Sequence, residues 1–280
     1  MRKIASIFFT VLFLSVSVQA AVPLEQLLYK GRGVPFYNDS SNPDQQRIID
    51  ALKRAQLAER MASIITNVLR VKSDIGVGFE SCGRVNAFFN PQRHAIIICT
   101  EFLQMVARAG QSDTEFMAKL PREQVAKIVD GLLWGVYFHE LGHAIIHTNH
   151  VPVTGREEDV ADQFAVWFSV NFVNLNQTPI IMPTIWMWTR MAQERSIPTM
   201  SEDERKNFLA NEHSLDEVRI YNMACWILGT GSEGGAKTAA FAKLPAQRAE
   251  RCPGEYAQVD QGMKNHFKKY FKVKPLRGSW

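Results

Sequence analysis

Beyond its first twenty residues, this 280-residue chain lacks any apolar run of the ~20 residues that a membrane span needs. It also lacks internal repeats and low-complexity linkers, so the sequence offers no ground for a solenoid or a string of modules. Charge of one sign is scarce: the formal net charge is +4, and Arg2 and Lys3 supply two of those units. The rest is spread too thinly for a nucleic-acid footprint, and no nucleic-acid partner is expected. Cysteine is sparse too, at four residues, and none has the C-x-x-C spacing of a cysteine zinc site. No cysteine stands at the position after Ala20, which argues against a lipid-anchored lipoprotein.

What is present at the start is the layout of a secretory signal peptide. Arg2 and Lys3 precede an apolar stretch from Ile4 to Val18, and small residues end at Ala20. Cleavage is expected between Ala20 and Ala21; for the alternative, a retained anchor, the apolar run is short. The reading is residues 1–20 as signal peptide and 21–280 as a single exported domain, periplasmic or secreted, with no stable membrane insertion after cleavage. Residues 21–43 read either as a pro-segment or as a ragged start. An even number of cysteines in an exported chain favours two disulfides. Of the three pairings, Cys82–Cys99 and Cys225–Cys252 are each close in sequence and are chosen here. Closing the first loop contributes about 3 kcal/mol in the chain-entropy model.

Proline at position 43 after Asn42 marks a helix start, and Ile48, Ile49, Leu52, Met61, Ile64, Ile65 and Val68 follow at helical spacing. "IGVGF" and "VNAFF" read as strands, "NPQR" as a turn and "AIIIC" as a returning strand, with Cys82–Cys99 tying the arms of the hairpin. After Pro121 the chain reads as helix almost throughout, including one long helix ending in "YFHELGHAIIH" and a second over "EEDVADQFAVWFSVNFV". "GTGSEGGAK" looks flexible. The aromatics of "WFSVNF" and "IWMWTRM" read as core, and His94 and His266 as solvated.

"HELGH" carries the chemistry. On a helix His139 and His143 lie one above the other, so both imidazoles reach one tetrahedral Zn²⁺, and Glu140 beside them can take a proton from water that the metal activates. Chance alone would give such a pattern in about one sequence of this composition in a hundred, so the motif needs a third ligand to support it. A metzincin would have glycine at 146 and histidine at 149; Ile146 and Asn149 exclude that class. His147 and His150 are awkwardly placed candidates. Glu158 and Asp162, again four apart on a predicted helix, resemble the glutamate-zincin arrangement of a ligand glutamate followed by an aspartate that orients a ligand histidine. The plainer alternative is that Glu157, Glu158 and Asp159 simply favour the helix dipole, and Glu157 and Asp159 are expected to do just that.

The stretch "HELGHAIIHTNHVPVTGREEDVADQFAVW" resembles the core of a bacterial family described as "putative metallopeptidase", a domain of unknown function. The resemblance runs from about Cys82 to Tyr256, taking in "CGRVNAFFNPQRHAIIICTEF" and "EHSLDEVRIYNMACW". It implies a zincin fold and zinc-dependent hydrolysis, but supplies no substrate. "VNAFF" before "HAIIIC" also resembles the Asn-Ala-Phe edge strand of CAAX-endopeptidase-type gluzincins and their soluble relatives. That likeness implies that Asn86, Ala87 and Phe88 pair with an extended peptide; an ordinary core strand is the alternative. Gluzincins bring a histidine, tyrosine or arginine to the oxyanion, for which His213, Arg219 and Tyr221 stand as candidates.

Taken together, the expectation is a predominantly helical α+β, zincin-like domain with a small antiparallel sheet. It would hold one Zn²⁺ through His139, His143 and Glu158, though availability could put another divalent ion there. Its substrate would be a peptide or protein. The rival function is a non-catalytic exported zinc- or peptide-binding protein on the same scaffold, and the oligomeric state stays open.

Overall fold

Strand β1 (Gly33–Tyr37) leads into helices α1 (Pro43–Arg54) and α2 (Leu57–Val68). The computed structural model describes residues 28–113, 116–173, 180–194, 200–211 and 213–276; the expected signal peptide and residues 21–27 lie outside the described residues. Asn42 caps α1 by accepting from the amides of Asp44 and Gln45, and Pro43 occupies a first-turn position that needs no N–H partner. The helical spacing from Ile48 to Val68 is split at Gln56, which takes the left-handed region at φ 50°. Met61, Ala62 and Ile65 are buried on α2, which packs against β1 and β2 (Ile75–Glu80).

Strands β3 (Ala87–Asn90) and β4 (Ala95–Cys99) form the expected hairpin, with Phe88 opposite Ile97. The sheet as a whole is mixed rather than antiparallel. Its order is β1-β2-β4-β3, and both the β1–β2 and β2–β4 pairs run parallel. Every residue of β4 is buried, which accounts for the unbroken apolar run "AIIIC". β1 corrects the reading of residues 21–43 as wholly pro-segment or ragged: residues 33–37 are an edge strand, the one sheet position that tolerates Pro35. The Cys82–Cys99 bond ties the loop after β2 to the end of β4 instead of bridging the hairpin arms.

The remaining helices are α3 (Thr100–Ser112), α4 (Arg122–Asn149), α5 (Glu157–Phe172), α6 (Ile181–Glu194), α7 (Glu202–Leu209), α8 (Asp216–Gly229), α9 (Glu233–Phe241), α10 (Ala246–Ala249) and α11 (Cys252–Phe267). The architecture is predominantly helical α+β. With 28 residues, α4 spans about 42 Å and ends at His150, in the left-handed region at φ 55°. From Gly131 onward it is buried on nearly every side, so it shows no single apolar stripe. "GTGSEGGAK", read as flexible, instead enters α9, whose cap is Ser232 accepting from the Gly235 amide. Cys225–Cys252 joins α8 to α11. Most of the buried apolar residues form one cluster from Leu57 to Phe271, with Trp167, Phe168 and Trp186 in it.

Two contacts of α4 position the site. α5 packs along it, and Gly142 permits the approach: a Cβ there would lie 3.1 Å from Ala161 Cα. β3 lies against its other side.

Candidate metal centre

The two histidines of "HELGH" point their Nε2 atoms toward each other, 3.3 Å apart. Glu158, from the first turn of α5, lies 3.1 Å from His139 Nε2 through one carboxylate oxygen and 3.4 Å from His143 Nε2 through the other. Four ligands at 2.0–2.1 Å around a tetrahedral ion are spaced about 3.3–3.4 Å from one another. The separations are thus of the length expected between donors around such an ion, with a different Glu158 oxygen facing each imidazole, and the donor set of two imidazoles and a carboxylate suits zinc.

His213 Nε2 also reaches this point. Its ring nitrogen, His139 and Glu158 present donor atoms all within 4.8 Å of one another. Its 2.8 Å separation from Glu158 Oε2 is that of a direct hydrogen bond, shorter than a tetrahedral edge, and its side chain is 40 % exposed on the loop before α8. That separates it from the histidines of α4.

Each α4 histidine is held from behind by a carboxylate. Asp162 Oδ1 lies 2.8 Å from His139 Nδ1, at hydrogen-bond distance though off the ring N–H direction. Asp162 in turn accepts two hydrogen bonds from Arg219, from Nε and Nη2, both at 2.7 Å. Arg219 is itself buried, with its guanidinium 3.8 Å from the centroid of Trp188. Glu157 Oε1 sits 2.6 Å from His143 Nδ1 and 3.2 Å from His147 Nε2. Asp159 Oδ1 accepts from Ser214 Oγ at 2.7 Å, fastening the loop that carries His213 to α5. The first-turn acids thus do more than favour the helix dipole.

Electrostatics follow from burial set against these partners. Burial works against a charged His139, but the adjoining carboxylates of Asp162 and Glu158 outweigh it and raise its pKa to about 10. Such acidic surroundings favour a cation at Nε2, where a proton and a metal ion compete. Burial would raise Glu158, yet its bonds to His139, His143 and His213 hold it far below the usual carboxylate range. Asp162, likewise buried, is drawn down to about 2 by Arg219 and His139. Glu140 goes the other way: burial raises its pKa against the pull of His139 and His143. Its Oε2 accepts from the Phe89 amide of β3 at 2.8 Å.

That last bond shows which way the edge strand faces. Cys99 N donates to Asn86 O, so Asn86 and Phe88 turn their backbone groups toward β4, while Ala87 and Phe89 turn theirs outward. Asn86 and Ala87 line the cleft beside His139 and Glu140; the outward backbone groups belong to Ala87 and Phe89, a residue the sequence reading passed over. The cleft continues into a cavity of about 280 Å³, with Leu132, Met187, Trp188 and Met191 among its walls. Trp188, read as core, is thus a wall of the cleft. Tyr221 is 39 % exposed and does not line it. His94, read as solvated, contacts Thr148 Oγ1 at 3.1 Å through Nε2.

An HExxH helix, a carboxylate from the following helix and a strand edge beside them define a candidate metal centre on a helical α+β fold. Residues 37–265 match the family described as "Putative metallopeptidase", and the chain belongs to that family. No curated protein and no solved structure matches it.

Proposed function

We propose that the protein is an exported zinc-dependent metallopeptidase of glutamate-zincin type, with one Zn²⁺ held by His139, His143 and Glu158. The observation that carries this reading is the near-tetrahedral spacing of His139 Nε2, His143 Nε2 and the Glu158 carboxylate, with Glu140 on the same helix face. When bound, the ion supplies Lewis acidity, bringing the pKa of water near neutrality and polarising the scissile carbonyl.

The chain's own residues do the rest. Glu140 takes a proton from the attacking water and returns it to the leaving amine; its raised pKa suits a group that must accept and then release. The Phe89 amide keeps that carboxylate in place. His213 donates from Nε2 to the carbonyl oxygen as it gains charge. Asp162 and Glu157 hold the ring orientations of His139 and His143. Arg219 is a positioning residue that acts through Asp162, since two of its N–H groups are already committed there. Tyr221 takes no part. The substrate is an extended peptide added to the outer edge of β3, where Ala87 N–H, Ala87 C=O and Phe89 C=O are the groups offered, flanked by Asn86 and Phe88.

Two disulfides suit an oxidising compartment, which supports export. The single buried cluster supports one domain over residues 21–280. Glu140→Gln is expected to keep one zinc per chain while casein hydrolysis falls by about 10³-fold or more. His139→Ala is expected to lose both metal and activity. A fully active Glu140→Gln protein, or hydrolysis indifferent to a chelator, would contradict the proposal.

A further inference from the structure

Four lysines on the helical surfaces are paired within one turn: Lys127 with Glu123, Lys206 with Glu202, Lys237 with Glu233, Lys264 with Asp260. One end of the molecule departs from this habit. The bridges Gly31–Val71 and Leu69–Phe271 bring residues 28–32, 69–74 and 268–276 side by side, and Tyr29 meets Tyr270 edge-on at 6.1 Å. These segments expose Lys30, Lys72, Lys268, Lys269 and Lys274, none of which has an acidic partner among the described residues. Their sole carboxylate, Asp74, is occupied by the amide and guanidinium of Arg32. The small net charge of the whole chain hides this local density.

Apolar side chains stand among the lysines. Leu28 is 52 % exposed, Val273 40 % and Leu276 67 %. In sequence, the lysines after Met263 alternate with Phe267, Tyr270 and Phe271, a pattern that would suit nucleic acid if the rings were free to stack on bases. All three rings are buried, so they offer bases no surface on which to stack. What remains is aliphatic side chains among ammonium groups that lack a carboxylate partner among the described residues, Lys269 resting on the Tyr270 ring at 5.0 Å, the composition of a surface that lies on a bilayer.

We propose that this end of the protein adsorbs to anionic lipid bilayers. The lysines meet headgroup phosphates, while Leu28, Val273 and Leu276 enter the boundary between headgroups and acyl chains. Each lysine near such a surface multiplies partitioning by about fivefold, so five together suffice for reversible attachment without insertion. Asn149, at the end of α4, accepts from the Lys72 amide and donates to the Arg70 carbonyl, so the surface adjoins the helix that carries His139 and His143. The proposal is independent of the peptidase reading.

The test is co-sedimentation of the protein, as isolated from cells, with phosphatidylcholine vesicles containing or lacking about a third phosphatidylglycerol. Binding at least tenfold tighter to the anionic vesicles, reversed by salt, is expected. Exchanging all five lysines for glutamine (Lys30, Lys72, Lys268, Lys269, Lys274) should remove that preference. Val273→Ser with Leu276→Ser should weaken vesicle binding severalfold and leave any binding to heparin or an oligonucleotide unchanged. All seven positions are exposed, and Glu140→Gln serves as a folded control that should bind as the parent does. Equal binding to both vesicle types, or an undiminished preference in the five-glutamine protein, overturns the proposal. Tighter binding to a soluble polyanion together with indifference to the serine exchanges overturns the choice of lipid.

Discussion

Helices α4 and α5 and the stretch from Asn211 to Arg219 furnish one cleft by different means. On the helix pair, spacing along the chain does the work: His139, Glu140, His143, Glu158 and Asp162 fall together because residues four apart share a helix face. The 211–219 stretch has no such periodicity. Its His213 and Arg219 act because tertiary packing brings them to carboxylates of α5, across 55 and 57 residues of sequence for Glu158 and Asp162. One region builds a donor set, and the other fixes and completes it.

If that division holds, the two regions fail differently. Removing Arg219 should have the largest effect on stability. Arg219→Ala leaves Asp162 charged and buried, at a cost of about 3–5 kcal/mol, and the melting temperature should fall by roughly 10 °C. Thermal unfolding of the metal-free protein is the measurement; a melting point within a degree or two of the parent would mean that Arg219 is not a structural prop. His213→Gln should leave folding and zinc content intact while kcat falls by about 10²–10³-fold. Were zinc lost instead, His213 would belong with the ligands, and the contrast between the two regions would break.

Glu157→Gln probes the helix pair from behind. It should weaken zinc binding by about 10–100-fold in a competition titration, without changing secondary structure. Unchanged affinity would return Glu157 to a purely helix-capping charge. The smallest effect expected is that of Gly142→Ala. The new methyl would press on Ala161 Cα, costing ~1 kcal/mol of packing against a similar gain in helix propensity. The melting temperature should barely move, while zinc binding weakens slightly as α5 is displaced from α4.

The contrast also explains what could be read from sequence. The bounds of α4 and α5 are legible because Pro121 and the acids at 157–159 punctuate long periodic segments. The hairpin is legible because "NPQR" breaks two apolar runs. β1 is not, since five residues containing a proline carry little strand signal until a parallel neighbour pairs with them. The break at Gln56 has no glycine or proline to announce it, and α3 follows β4 without a breaker, so its start merges with a strand. At the site, the spacing of the candidate ligands could be read directly. The use of Glu157 on His143, of Trp188 beneath Arg219 and of the Phe89 amide on Glu140 depends on which elements become neighbours, and no local pattern encodes that.

The convergence of His139, His143 and Glu158 is tested most directly by crystallography of the zinc-loaded protein with anomalous scattering at the metal edge. A single ion is predicted, about 2.0–2.1 Å from both Nε2 atoms and from a Glu158 oxygen. An ion bound elsewhere, or a Glu158 carboxylate turned out of its coordination sphere, would contradict the account.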